Sequence, residues 1–250
     1  MIRQLPLPFP HAPDFARSPF VEAPSNAEAL AWLERDQAWP SHRLAIWGEA
    51  GCGKSHLLFR WARRERALLH HGPSLSLATV PPTTAIAIDD ADLCAERPLL
   101  HLLNAAAEAG LPVLLAGREA PSRWATGLAD LASRLRATTA VRIRPAEDTL
   151  LQRLLALLFA DRQLSVAEPL QDMLLLHLPR APQALREAVS RLDRMALAAG
   201  HRITRPLVQQ MLIDWDQDPG SDDSAQVSQL FHEDFAQALA AASPADPGFL

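Results

Sequence analysis

In the first 144 residues the apolar positions fall in short runs. Leu44-Ala45-Ile46-Trp47, Ala85-Ile86-Ala87-Ile88, Leu111 to Ala116 and Val141-Arg142-Ile143 have strand length and few interruptions, as in strands buried on both faces. Helical spacing fills the gaps. His56 to Ala62 starts a helix that should end near Leu69. Leu99, Leu100, Leu102, Leu103 and Ala106 predict a helix over 97–109, closed by Gly110 and Pro112, and Leu128, Leu131 and Leu135 predict another. Short apolar strands alternating with helices predict an α/β, three-layer αβα domain around a parallel sheet. From about Pro145 the pattern is helical only, over 147–162, 168–177, 182–199 and 205–214. A boundary near 144 therefore separates the α/β domain (14–144) from a small all-helical domain (145–216).

The flanks read differently. Ser25 followed by Glu28 has the form of a capping box opening a helix over about 26–38, with Ala29, Leu30 and Leu33 on one face and Trp32 and Trp39 as packing residues. His70-His71-Gly72-Pro73-Ser74 reads as a turn between the helix ending near Leu69 and a short apolar segment, Leu75 to Val80. Its histidines should be solvated rather than metal-bound, because no third ligand is near in sequence. Residues 1–13 carry four prolines among Gln4, Leu5, Leu7 and Phe9, which suits an extended tail whose apolar residues dock in a partner's groove. Residues 217–223 have linker composition. Val227, Leu230, Phe231, Phe235 and Leu239 then give 224–242 an apolar face, either of an amphipathic helix or of an extension that orders on a partner.

Composition narrows the function. Of 250 residues 48% are hydrophobic and 21% charged, ordinary for a globular protein, and the net charge of −5 argues against a dedicated, sequence-specific DNA-binding surface. Cys52 and Cys94 cannot form a disulfide framework, and the chain has no apolar run of membrane-spanning length, so a cytoplasmic protein without membrane attachment is expected.

The chemistry concentrates in two stretches. Gly48-Glu49-Ala50-Gly51-Cys52-Gly53-Lys54-Ser55 fits G-x-x-x-x-G-K-[ST] between a predicted strand and a helix beginning at His56. In such a loop backbone N–H groups approach phosphate oxygens, Lys54 reaches the outer phosphates and the Ser55 hydroxyl ligates Mg²⁺. Asp89-Asp90 ends the second strand. Carboxylates at a buried strand's end need a cation or donors nearby, so Asp89 is the second candidate for Mg²⁺ and Asp90 for orienting the attacking water.

Phosphate loop, Asp-Asp strand end, α/β domain and helical lid, in that order, resemble an AAA+ ATPase. Phe20-Val21…Pro24-Ser25-Asn26 leading to Gly48–Ser55-His56-Leu57-Leu58 is more closely similar to the nucleotide-binding domain of the replication initiator DnaA, over about residues 14–215. DnaA carries a basic helix-turn-helix domain after its lid, for which no counterpart is expected here. The pattern thus resembles the Hda family of short DnaA homologues, which regulate the initiator and open with a Gln-Leu-x-Leu-Pro-type peptide that binds the DNA polymerase III sliding clamp (beta subunit). Gln4-Leu5-Pro6-Leu7-Pro8-Phe9 matches that peptide.

The resemblance implies that ATP or ADP with Mg²⁺ binds at Gly48–Ser55 and His56, with Arg180 reaching the phosphates from the lid as sensor 2. It makes Arg134, in Leu131-Ala132-Ser133-Arg134-Leu135, an arginine finger offered to ATP-bound DnaA, with Arg136 its nearest competitor. Its partners would be DnaA and the clamp, alone or as a homo-oligomer. One departure stands out. Gly117-Arg118-Glu119 follows the Val113–Ala116 strand where the family places a polar sensor 1, so intrinsic hydrolysis is expected to be weak. An AAA+ helicase-loader-type ATPase is the alternative; it would share the nucleotide site but carry a helicase-binding N-terminal domain.

Overall fold

The computed structural model describes residues 20–35, 39–77, 83–200 and 202–217. Five strands form one parallel sheet: β1 (Arg43–Trp47), β2 (Leu68–His71), β3 (Ile86–Asp89), β4 (Val113–Gly117) and β5 (Thr139–Arg142), in the order β2-β3-β4-β1-β5. β1 lies inside the sheet, with Leu44 registered against Leu114 of β4 and Thr139 of β5. Its side chains alternate between layers, as the two-residue period of a strand requires. Leu44 and Ile46 join Leu57, Leu58 and Trp61 of α2 (Lys54–Glu65) on one face, while Ala45 joins Leu103 of α3 (Glu96–Glu108) and Leu131 and Leu135 of α4 (Ala129–Arg136) on the other. The three-layer α/β expectation holds.

Four helices follow among the described residues: α5 (Asp148–Asp161), α6 (Glu168–His177), α7 (Pro182–Ala199) and α8 (Arg205–Gln217). Their apolar faces share a separate core around Leu151, Leu155, Leu185, Leu192 and Trp215. Val21 belongs to this helical core too, whereas Phe20 packs against the α/β core. The segment entering the fold therefore straps the two parts together. Among the described residues no helix is long and apolar enough to cross a membrane.

Three local expectations are corrected. α1 spans only Ala27–Leu33, and its cap residue is Asn26 rather than Ser25. The Asn26 amide donates to the Val21 carbonyl at 2.9 Å and accepts from the Ala23 N–H at 3.0 Å, holding the strap's turn. Ser25 Oγ donates instead to Glu147 Oε2 at 2.9 Å, beside the start of α5. α2 stops at Glu65, where Arg66 takes a left-handed conformation (φ 51°), well before Leu69. His70 and His71 then lie in β2, half-buried, rather than in a solvated turn. Among the described residues β2 is an edge strand paired with β3 alone, so it tolerates polar side chains that an interior strand would not. The tail with Gln4, Leu5, Leu7 and Phe9, and residues 218–250, lie outside the described residues.

Candidate functional site

Gly48 to Gly53 turn the chain from the carboxyl end of β1 into α2, and the glycines are required by contacts and dihedrals. A Cβ at Gly48 would lie 2.5 Å from the Ile143 carbonyl oxygen, while Gly51 (φ 74°) and Gly53 (φ 102°) hold left-handed conformations. Lys54, the first residue of α2, is buried, and its Nζ donates to the carbonyls of Gly48 and Glu49, both at 2.8 Å. The loop thus leads directly into a helix N-terminus, a position suited to phosphate.

Beside it, β3 delivers the carboxylates. Asp89 is buried, and burial followed by the charge of Asp90 raises its pKa to about 6, partly offset by the Ser55 hydroxyl, the Asp90 N–H and Lys54. The Asp90 N–H donates to Asp89 Oδ1 at 3.1 Å. Asp90 itself is left-handed (φ 48°), a strained conformation for a residue with a side chain and of the kind that collects at functional sites. Gly72 supports it from below, since a Cβ there would come within 2.0 Å of the Asp90 carbonyl oxygen. His71 Nδ1 lies 3.9 Å from Asp90 Oδ2. Ser55 and Asp89, far apart in sequence, therefore share a hydrogen bond, and a hydroxyl beside a carboxylate destabilised by burial suits a hard cation.

The lid meets the loop through α7. A Cβ on Gly51 would touch the Ala181 Cβ at 3.3 Å and the Gln183 Cβ at 3.5 Å. Arg180 is placed differently from the expectation. It pairs with Asp148 at the start of α5 and is 69% exposed, so the residues set against the phosphate loop are Ala181 and Gln183. A second arginine reaches the site unannounced. Arg186 Nη2 lies 3.3 Å from His56 Nδ1, and because guanidinium only donates, that nitrogen accepts and the ring is neutral. Burial, then the charges of Arg186 and Arg60, lowers the His56 pKa to about 3. Phe20 from the strap closes on the other side, edge-on to His56 at 5.1 Å with the Arg60 guanidinium over its ring. Arg186 was discoverable in principle: it lies on the α7 stripe with Pro182, Leu185 and Val189, and a cation on an apolar face needs a partner.

At the end of β4, Gly117 lies against other side chains. A Cβ there would sit 2.8 Å from the Trp124 ring and 3.3 Å from the Asp92 carboxyl carbon, and Asp92 Oδ2 accepts the Arg118 N–H at 2.9 Å. β4 thus presents no polar side chain to the phosphate loop.

Arg134 is absent from this end of the sheet. It is in the last turn of α4, where its Nε pairs with Asp130 at 3.3 Å and its carbonyl accepts the Thr138 hydroxyl at 2.9 Å. Thr139 follows at once and pairs with Leu44, so Arg134 adjoins the amino end of β1 while the phosphate loop leaves the carboxyl end. Four residue steps separate those ends, about 13 Å at roughly 3.3 Å per residue.

No family model matches the chain. It is 26% identical over 230 residues to an uncharacterized protein of Haemophilus influenzae, covering 85% of this chain and 99% of that one. Among solved structures, domain III of the Thermotoga maritima replication initiation protein DnaA superposes with a TM-score of 0.67 at 18% identity, over 78% of this chain and 94% of that one. AMPPCP-bound DnaA from Aquifex aeolicus gives 0.60 at 16%, over 72% of this chain and 65% of that one. A Thermotoga maritima RuvB variant gives 0.60 at 16%, over 87% and 80%. The chain accordingly has the fold of DnaA domain III and RuvB.

Proposed function

We propose that this protein is a DnaA-related AAA+ regulator of the Hda type. It binds ATP or ADP with Mg²⁺ at the phosphate loop, docks on the polymerase sliding clamp through Gln4, Leu5, Leu7 and Phe9, and promotes hydrolysis of ATP held by DnaA. Initiator activity falls as a result. The observation that carries this reading is the position of Arg134, at the end of β1 away from its own phosphate loop and exposed enough to reach a neighbour. A guanidinium there cannot serve the chain's own nucleotide, but it can add positive charge beside a phosphoryl group presented by another subunit.

Adenine-nucleotide binding is supported by the loop geometry and by the AMPPCP bound in the similar DnaA fold. Loop N–H groups and Lys54 would cradle the phosphates, and the Ser55 hydroxyl and Asp89 would hold Mg²⁺, which when bound neutralises phosphate charge. Ala181 and Gln183 pack the lid onto the loop, and Asp90 would orient water. With no polar side chain offered by β4, the chain's own turnover is slow, and the nucleotide serves to fix the lid.

The test is hydrolysis of DnaA-bound ATP in the presence of clamp loaded on DNA. The wild type should stimulate strongly, and both Arg134→Ala and a Gln4/Leu5/Leu7 triple alanine should not. Equal stimulation by all three would contradict the proposal.

A further inference from the structure

The amino end of β1 buries a cation without a counter-ion. Arg43 is 6% exposed, its guanidinium forms no ion pair among the described residues, and its Nε has no hydrogen-bond partner. Its Nε, buried without a partner, opposes folding, and an apolar residue of similar length would suit the start of a buried strand better. The charge acting on it is that of Arg134, in the last turn of α4. Leu44, next along β1, pairs with Thr139, and the Thr138 hydroxyl is bonded to the Arg134 carbonyl, so the last turn of α4 lies over the start of the strand. Burial, and after it the charge of Arg134, lowers the pKa of Arg43. The acid paired here is Asp130, which reaches Arg134 Nε and is itself 58% exposed. Asp130 thus offsets Arg134 alone, and the charge of Arg43 is left without a carboxylate partner among the described residues.

We propose that Arg43 is a positioning residue for Arg134: a fixed charge beneath it that repels the finger from the sheet edge toward a neighbouring subunit and strengthens the potential met by a nucleotide polyphosphate presented there. This rests on the trans reading of Arg134 given above. A carboxylate-bearing partner would be satisfied by Arg134 alone at an exposed rim. A polyphosphate spreads several charges over nearby oxygens and gains from a second cation behind the first.

The experiment uses full-length wild type, Arg43→Met, Arg43→Lys and Arg134→Ala. Each is assayed for stimulation of ATP hydrolysis by DnaA with clamp-loaded DNA and for thermal unfolding. Arg43→Met removes the buried charge while keeping bulk, so its Tm should rise by about 2–4 °C. Its maximal stimulated rate should nevertheless fall about tenfold with the half-saturating concentration little changed, and Arg43→Lys should recover most of the rate. A structural arginine would behave oppositely: Arg43→Met would lower Tm while stimulation per folded molecule stayed at the wild-type level, and that result overturns the proposal. So does Arg43→Lys performing no better than Arg43→Met. If Arg134→Ala is inactive while Arg43→Met matches wild type, only the role of Arg43 fails; if Arg134→Ala stimulates normally, the trans reading fails with it. Binding of a fluorescent ATP analogue to Lys54→Ala separates presented from free nucleotide. Affinity should fall on the order of 100-fold or more whether or not Arg43→Met is added, and residual binding abolished by adding Arg43→Met would make the pair a free-nucleotide site instead.

Discussion

At the carboxyl end of β1 the chain offers backbone donors, a buried lysine and a carboxylate whose pKa burial lifts to about 6; at the amino end it offers two guanidiniums, one buried and one partly exposed. Strap, lid and β3 all meet at the first end: Phe20 packs on His56, Gln183 approaches Gly51, and Asp89 bonds to the Ser55 hydroxyl. The second is more open, and among the described residues the Arg134 guanidinium pairs with a surface aspartate on its own helix. A destabilised carboxylate beside a glycine-rich loop suits a ligand and its cation, whereas an exposed cationic edge suits something brought by another molecule. One strand connects them, so under the proposed function nucleotide binding at one end and partner contact at the other would be separable by mutation.

The largest effects should separate the ends cleanly. Lys54→Ala should lower this chain's own nucleotide affinity on the order of 100-fold or more, measured by titration with a fluorescent ATP analogue. Arg134→Ala should leave that affinity within about twofold while lowering stimulation of DnaA on the order of 10³-fold. Exchange of these two phenotypes would collapse the distinction.

The next effect probes how the phosphate-loop end is supported. Gly72→Ala places a Cβ 2.0 Å from the Asp90 carbonyl oxygen, a backbone clash that no rotamer relieves, and should cost about 3 kcal/mol or more in denaturant unfolding while weakening Mg²⁺-nucleotide binding. Gly117→Ala meets the Trp124 ring edge at 2.8 Å instead and should cost less, about 1–3 kcal/mol.

The Asp89 carboxyl gives a pH signature. Its pKa is about 6 in the folded chain against an ordinary 3.8, so the folded state holds the proton more tightly, and stability falls as pH rises from about 4 to 6 and stays low above. Asp89→Asn should therefore stabilise the nucleotide-free protein at pH 7 by about 3 kcal/mol and change little below pH 4. It should also abolish the Mg²⁺ dependence of nucleotide binding. A variant less stable than wild type at pH 7 would show that hydrogen bonds at Asp89 outweigh its burial. Arg180→Ala gives the smallest effect, since an exposed pair with Asp148 contributes about 0–1 kcal/mol. Nucleotide affinity should stay within about twofold, whereas Gln183→Arg, set against the loop, should raise it.

The phosphate-loop end was largely legible in the sequence because its chemistry is local: Gly48–Ser55 lies in one stretch, and Asp89-Asp90 ends an apolar run. What escaped depends on long-range contact or on position in the sheet. β2 carries two histidines and no apolar run, and only its place at the sheet edge makes that tolerable. Ser25 has the spacing of a cap, yet Glu147, 122 residues away, takes its hydroxyl. Arg180 and Arg186 look alike as charges near a helix start, and only the packing of α7 sends Arg186 to His56 and leaves Arg180 to Asp148. The left-handed Asp90 is invisible until the turn beneath it is built around Gly72.

Single-turnover hydrolysis of labelled ATP pre-bound to DnaA, with clamp-loaded DNA and either wild type or Arg134→Ala of this protein, isolates the trans role of Arg134. Wild type should accelerate the reaction, and Arg134→Ala should return it to the rate of DnaA alone although the variant still binds its own nucleotide. Equal acceleration by the two proteins would rule out a trans role for Arg134.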